Sequence, residues 1–82
     1  MVRLPRDVSG RDLARALRRY GYEVTREAGS HMRLTTQQGG EHHVTIPDHA
    51  SLRIGTLAGI LADVATHLGI ERSALAAALF ER

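Results

Sequence analysis

Histidine and arginine carry the chemistry that this sequence offers. The 82 residues include five histidines and eleven arginines, with no lysine and no cysteine. Histidine exchanges protons near neutral pH, and the planar guanidinium of arginine holds phosphate and carboxylate groups. The absence of cysteine excludes disulfides, thiolate nucleophiles and cysteine-based zinc sites, and it fits a reducing compartment.

His31 is the first candidate for a general acid or base. It follows Gly29-Ser30 at the predicted mouth of a hairpin, on the polar face of a sheet, where a rigid scaffold positions an exposed imidazole. Arg33 lies two residues along the same face and could hold a phosphate while His31 moves a proton. The plainer interpretation, an ordinary exposed strand residue, stays open on the sequence alone.

The other histidines suggest a second proton carrier more readily than a metal site. His43 is predicted on the same sheet face as His31, in the neighbouring strand, and is a candidate second acid or base. His42 and His43 are adjacent, so they point to opposite faces and cannot share one ion without a bulge. His31, His43 and His49 could converge on one ion only if the loop that holds His49 folds back, and His67 stands alone near a helix end. We predict no metal and no cofactor.

Positive charge is concentrated in the first part of the chain. Residues 1–33 hold eight arginines and four acids, a net charge of +4, whereas residues 34–82 hold three arginines and five acids, a net charge of −2. This asymmetry indicates a polyanionic partner, either nucleic acid or an acidic protein. A solvated helix face would show the same composition.

The first element is predicted as an amphipathic helix over Val8–Tyr20. Ser9 can cap its first turn, Asp12 follows as in a capping box, and Gly21 can end it. Arginines occupy the outer face and are expected to place much of the positive charge on one surface. The apolar stripe comprises Leu13, Ala16, Leu17 and Tyr20.

Three strands are predicted next, over Tyr22–Glu27, His31–Thr36 and Glu41–Ile46. The first alternates apolar and polar residues, as a half-buried strand does. Short turns join the strands into an antiparallel meander with one apolar face and one open, polar face.

Pro47 is predicted to end the third strand, and residues 48–55 form a loop. Thr56 is predicted to cap a second helix that ends at Gly69, and Ile70–Phe80 forms a third. The fold class is therefore α+β, with a three-stranded antiparallel sheet covered by helices on one face, in a single domain over residues 1–82. Because no long apolar run or signal peptide is evident, we expect a cytoplasmic protein without membrane contact.

Four short motifs in this order resemble those of HicA-type toxins, also called the YcfA-like family of messenger-RNA interferases. The resemblance covers roughly residues 3–80. The motifs are the opening helix from Gly10-Arg11-Asp12-Leu13 to Tyr20-Gly21-Tyr22, then Gly29-Ser30-His31, then Val44-Thr45-Ile46-Pro47-Asp48-His49, and last Gly55-Thr56-Leu57 followed by Ile60-Leu61.

The resemblance implies a fold like the double-stranded-RNA-binding domain, α-β-β-β-α with an extra C-terminal helix. It also implies a toxin of a type II toxin-antitoxin system, a ribosome-independent endoribonuclease that cleaves mRNA and is neutralised by a HicB-type antitoxin protein. The family's catalytic histidine corresponds to His31. Ser30 matches the motif around it and His49 matches the family's loop histidine, and both, with His43, are candidates for a second acid or base or for support. No DNA contact by the toxin alone is expected.

Because the chain lacks the lysine cluster of double-stranded-RNA binders, we predict that arginines contact the RNA phosphates: Arg11, Arg15, Arg18, Arg26 and Arg33. Both the residues and the resemblance favour metal-independent attack of the RNA 2′-hydroxyl on its own phosphate, with His31 as base or acid. Two other interpretations remain: a non-catalytic RNA-binding module of the same fold, and a domain whose arginines dock an acidic protein.

Overall fold

The protein is described by a computed structural model over residues 4–81. Its sheet is antiparallel with strand order β1-β2-β3, so the predicted α+β layout and its meander are confirmed. The elements are α1 (Gly10–Leu17) continued by a 3₁₀ turn (Arg18–Tyr20), β1 (Glu23–Ala28), β2 (His31–Thr36), β3 (His42–Pro47), α2 (Ile54–Leu68) and α3 (Arg72–Phe80).

One face of the sheet carries the hydrophobic core. Alternate residues of β2 and β3 point into it, and the apolar sides of the helices close over them. The opposite face has no helix over it within residues 4–81, and His31, Arg33, His43 and Thr45 are exposed there. The buried cluster includes Leu13, Leu17, Met32, Leu34, Val44, Ile46, Leu57, Leu61, Val64 and Leu75.

The first helix begins and ends close to its predicted limits. The Ser9 hydroxyl accepts the Asp12 N–H at 2.9 Å, so the predicted cap is confirmed. The regular helix starts at Gly10 rather than Val8, and its last predicted turn, Arg18–Tyr20, is a 3₁₀ turn. In that turn the Arg19 guanidinium donates to the Ala78 carbonyl, which ties the end of α1 to α3.

The prediction of a half-buried first strand is wrong. All six residues of β1 are exposed, and Tyr22, which was assigned to the strand, is buried just before it. In the described part of the chain β1 is an edge strand that pairs only with β2. Its register shifts between Val24 and Arg26, so a β-bulge interrupts the alternation of side chains.

The second helix starts earlier than predicted. It begins at Ile54 with Arg53 as its N-cap, so Thr56 lies inside the first turn and is not the cap. The cause is a long-range contact: the Leu52 N–H donates to the Val8 carbonyl at 2.7 Å and fixes where the chain enters the helix. Gly69 ends α2 in the left-handed conformation, as predicted, and α3 begins at Arg72 rather than Ile70.

No single helix within residues 4–81 has the length and hydropathy needed to span a bilayer. Helices α2 and α3 meet that test only when counted together, and they are bent by 108° relative to each other. Both helices contribute side chains to the buried cluster.

A polar network joins β3, α2 and the β2–β3 turn on the helix-covered side of the sheet. The Tyr22 hydroxyl lies 2.7 Å from His42 Nδ1, and His42 Nε2 lies 3.2 Å from an Asp63 carboxylate oxygen. The His67 ring stacks on His42 with centroids 4.3 Å apart, and its Nε2 lies 3.0 Å from the Gln38 carbonyl oxygen. Burial, and then the charge of Asp63, raise the pKa of Tyr22 to about 12.

This raised pKa predicts a loss of stability at alkaline pH. The folded protein holds the Tyr22 proton more tightly than the unfolded chain, whose tyrosine has the ordinary pKa of 10.0. The stabilising effect is therefore complete below pH 10.0 and is lost as the pH rises to about 12. We expect denaturant unfolding to show this loss in the natural protein and a flatter pH dependence in Tyr22→Phe.

Tyr20→Phe is the matched control and should retain the alkaline loss. The chain has no lysine, so lysine titration does not obscure the result. Below pH 10.0, loss of the hydrogen bond to His42 lowers the stability of Tyr22→Phe by about 1 kcal/mol relative to the natural protein, so the slope of stability against pH is the decisive readout. If stability falls with pH equally in the natural protein and in Tyr22→Phe, the alkaline loss does not come from the raised pKa of Tyr22.

Candidate functional site

The Gly29-Ser30-His31 turn and the segment after β3 meet at one end of the sheet. His31 is the first residue of β2 and pairs with Pro47, the last residue of β3. The Ser30 carbonyl accepts the Asp48 N–H at 2.7 Å, so Asp48 lies against the turn and His49 is the next residue along the chain. Gly29 allows the tight turn because its φ of 58° favours glycine. Two separate sequence motifs therefore form one surface around His31.

The start of α1 holds this surface in place from the helix-covered side. The Gly10 N–H donates to the His49 carbonyl at 2.9 Å. A Cβ atom on Gly10 would lie 2.0 Å from the Pro47 carbonyl oxygen, so a side chain does not fit without moving the backbone. The glycine is therefore needed for the close approach of α1 to the end of β3.

Arg11 forms ion pairs that connect three segments of the chain. Its Nη2 lies 2.9 Å from Asp48 Oδ2 and 3.2 Å from Glu27 Oε1, so it links α1 to the end of β1 and to the segment after β3. The hydrogen bond and charge of Asp48, followed by the charge of Glu27, raise the pKa of Arg11 above its ordinary value. The phosphate contact predicted for Arg11 stays a prediction, and in the structure this guanidinium is paired with two carboxylates.

The two predicted partners of His31 lie at different distances from it. His43 pairs with Thr35, four residues along β2 from His31, which corresponds to about 13 Å. His43 and His31 therefore share the open face but lie at separate positions along it. His49 belongs to the segment fixed beside Ser30, so it is the histidine that the backbone brings to the His31 end of the sheet.

A shallow cleft of about 480 Å³ lies on the open face, farther along the strands from His31. His43 Nδ1 is 2.7 Å from the Thr35 hydroxyl, which is 2.9 Å from the Thr25 hydroxyl. His43 Nε2 is 2.9 Å from Glu41 Oε2, and this hydrogen bond is the main cause that lowers the pKa of Glu41. We call this the open-face cleft; its lining residues are Thr25, Arg26, Arg33, Thr35, Glu41 and His43.

Three lining residues of the open-face cleft are not among the site residues predicted from the sequence: Thr25, Thr35 and Glu41. Strand alternation could have found Thr35 and Glu41, because within the predicted strands they lie two or four residues from His31 and His43 and so share their face. Thr25 and Arg26 both line the cleft because of the bulge in β1. The apolar pattern of the sequence does not predict this bulge.

The expected single basic surface is divided between two sides of the sheet, because α1 lies over the core face. Arg15 and Arg18 line a separate groove of about 360 Å³ between α1 and β1, together with Val24 and Met32. Arg15 also lies 3.5 Å from an Asp12 carboxylate oxygen. Of the five arginines predicted to contact phosphate, only Arg26 and Arg33 line the open-face cleft.

Within residues 4–81 no group of three or more histidine, cysteine, aspartate or glutamate side chains is arranged to hold a metal ion. The adjacent His42 and His43 point to opposite sides of the sheet. His42 contacts Tyr22 and Asp63 on the helix-covered side, whereas His43 lines the open-face cleft.

The chain matches a family model described as the HicA toxin of bacterial toxin-antitoxin, over residues 10–65. The match covers more than half of the chain, from the start of α1 into α2, and therefore includes His31 and all three strands. No curated protein and no solved structure matches the chain significantly.

The close contact at Gly10 predicts opposite effects for two glycine-to-alanine substitutions in helices. Gly10→Ala should destabilise the protein by about 1–3 kcal/mol, because the new methyl group forces α1 away from Pro47. Gly59→Ala, in α2, meets no atom within 4 Å and should stabilise by about 0.5–1 kcal/mol through helix propensity.

Denaturant unfolding measures both changes. Amide NMR shifts in Gly10→Ala should also move at Ser30, His31 and His49, whereas Gly59→Ala should leave them in place. If Gly10→Ala is as stable as Gly59→Ala and its shifts at these residues are unchanged, α1 does not position the site.

Proposed function

This chain belongs to the HicA toxin family of bacterial toxin-antitoxin systems, and we propose that it is a toxin that cleaves messenger RNA without the ribosome. The observation that carries the proposal is the meeting of Gly29-Ser30-His31 with Pro47-Asp48-His49 at one exposed end of the sheet. An imidazole there is open to a long substrate and is held by backbone hydrogen bonds rather than by a deep pocket.

The reaction proposed for this site is transfer of an RNA phosphate to the neighbouring 2′-hydroxyl. A base removes the hydroxyl proton, the 2′-oxygen forms a bond to phosphorus, and the bond from phosphorus to the 5′-oxygen breaks as an acid protonates that oxygen. The products are a 2′,3′-cyclic phosphate and a 5′-hydroxyl. His31 acts as the base or the acid, and this route requires no metal or cofactor.

Two neighbours of His31 are suited to assist it. His49 lies in the segment bonded to Ser30 and is the candidate for the second proton transfer. Arg33 is two residues from His31 on the same face of β2, a separation of about 7 Å, and its guanidinium can hold a phosphate. The Tyr22 phenol and the Asp63 carboxylate that contact His42 lie on the other side of the sheet and take no part in this reaction.

The toxin family implies an antitoxin as partner, and we propose a HicB-type protein that covers the open face. The site is shallow and the face has no helix over it within residues 4–81, so a bound protein would exclude RNA by occupying the surface. The proposal places the protein in the cytoplasm, where mRNA is available. It assigns no DNA contact to the toxin alone, and DNA would not be cleaved because it lacks the 2′-hydroxyl that the reaction uses.

Substitution of His31 tests the assignment. We expect His31→Ala to fold as the natural protein does, because the side chain is exposed. Its rate of cleavage of an RNA oligonucleotide should fall by about a hundredfold or more, and growth inhibition should be lost. His67→Ala is the matched histidine control, since His67 lies on the helix-covered side and should keep cleavage.

The assay uses protein freed of its antitoxin, with an all-DNA oligonucleotide as a substrate that should stay intact. Full activity of His31→Ala would remove His31 from the mechanism. Natural protein that binds RNA at neutral pH and leaves it intact would instead identify a non-catalytic RNA-binding module. Failure to bind RNA even at low salt would favour a protein-interaction domain.

A further inference from the structure

Two arginines face each other in the open-face cleft. Arg26 of β1 and Arg33 of β2 are directly paired across the sheet, and like charges in such positions destabilise a sheet. The cleft offers them little compensation, because Glu41 is the one carboxylate among its lining residues in the described part of the chain. Glu41 is hydrogen-bonded to His43 and Gln37. The charge of Arg33 is the smallest of the effects that lower the pKa of Glu41.

The β-bulge is what brings Arg26 onto this face. Val24 pairs with Leu34 on the core side, and strict alternation would return Arg26 to the core side as well. Thr25 is instead the extra residue, and Arg26 pairs with Arg33 on the open side. Bulges commonly reorient side chains beside functional sites. The chain thus departs from regular strand geometry, and the result is two arginines opposite each other on the open face.

Hydroxyl groups next to the two arginines are already ordered. The Thr25 hydroxyl lies 3.3 Å from the Arg33 carbonyl oxygen and 2.9 Å from the Thr35 hydroxyl, and Thr35 is bonded to His43. Glu41 holds the opposite side of the His43 ring. The cleft therefore places two guanidinium groups beside an ordered set of hydroxyl and imidazole groups, and the guanidinium groups suit the tetrahedral, singly charged phosphodiester of a nucleic-acid backbone.

We propose that the open-face cleft is a phosphate subsite that binds the RNA strand one or two nucleotides from the phosphate cleaved at His31. Arg33 lies about 7 Å and Thr35 about 13 Å from His31 along β2, so the cleft is displaced from the reacting phosphate. A phosphate between Arg26 and Arg33 would relieve their repulsion. The proposal rests on the proposed function, and it assigns His43 to substrate binding rather than to proton transfer.

Binding of a short RNA oligonucleotide to His31→Ala protein tests the subsite without cleavage. Arg26→Gln and Arg33→Gln, each in the His31→Ala background, should weaken binding by about tenfold. Each should also reduce the dependence of log affinity on log salt by about 0.7, the value for one contact to a single-stranded phosphate. Arg72→Gln, at the exposed start of α3, makes the same charge change outside the cleft and should alter affinity less than about twofold.

Substrate length separates this subsite from the reaction centre. In the catalytically active background, Arg26→Gln should raise KM for an oligonucleotide and leave cleavage of a dinucleotide, which has only the reacting phosphate, unchanged. Arg26→Gln should also leave the stability of the free protein unchanged or higher, because it removes the repulsion with Arg33. A purely structural role for Arg26 would give the reverse, with lower stability and equal losses on both substrates.

The outcomes distinguish this proposal from the proposed function. RNA cleavage by the natural protein, with binding and salt dependence unchanged in Arg26→Gln and Arg33→Gln, would overturn the subsite and leave the nuclease intact. Equal losses on the dinucleotide and the oligonucleotide in Arg26→Gln would place Arg26 at the reacting phosphate and also overturn the subsite. Absence of RNA binding by the natural protein would overturn both the subsite and the proposed nuclease function.

Discussion

The candidate site depends on the contact between the first residue of α1 and the end of β3. Because Gly10 has no side chain, the helix start comes close enough to the Pro47 carbonyl for the Gly10 N–H to bond to the carbonyl of His49. The Asp48 N–H, on the same segment, bonds to the Ser30 carbonyl. These bonds satisfy backbone groups that irregular chain would otherwise leave unpaired. The core therefore positions His31, because α1 is itself held by Leu13 and Leu17.

The bulge in β1 is the second constraint, and it acts on both sides of the sheet. The extra residue, Thr25, moves Arg26 to the open face and Glu27 to the helix-covered side, where Glu27 meets Arg11. Regular alternation would separate Glu27 from Arg11 and Arg26 from Arg33. One local irregularity thus contributes to the ion pairs that hold α1 and creates the arginine pair of the open-face cleft.

Regular apolar alternation explains what could be predicted from the sequence, and its absence explains what could not. Residues 32, 34, 44 and 46 alternate with polar neighbours, so the faces of β2 and β3 follow from period two. Thr25, Arg26 and Glu27 are consecutive polar residues, so no apolar position reveals the shift in register. The start of α2 depends on the bond between Leu52 and Val8, and the pairing of Arg11 depends on Glu27 and Asp48, contacts that no local pattern encodes.

The shape of the fold accounts for the kind of site it can hold. All described helices contribute to one buried cluster on one face, so the opposite face of the sheet needs only polar side chains and its own backbone pairing. Like charges such as Arg26 and Arg33 are tolerable there because solvent screens them, whereas the core could not accept them. An open, rigid sheet with an imidazole at one end and cations farther along suits an extended polyanion better than a small molecule, which requires enclosure. The same openness means that a partner can control access simply by covering the face.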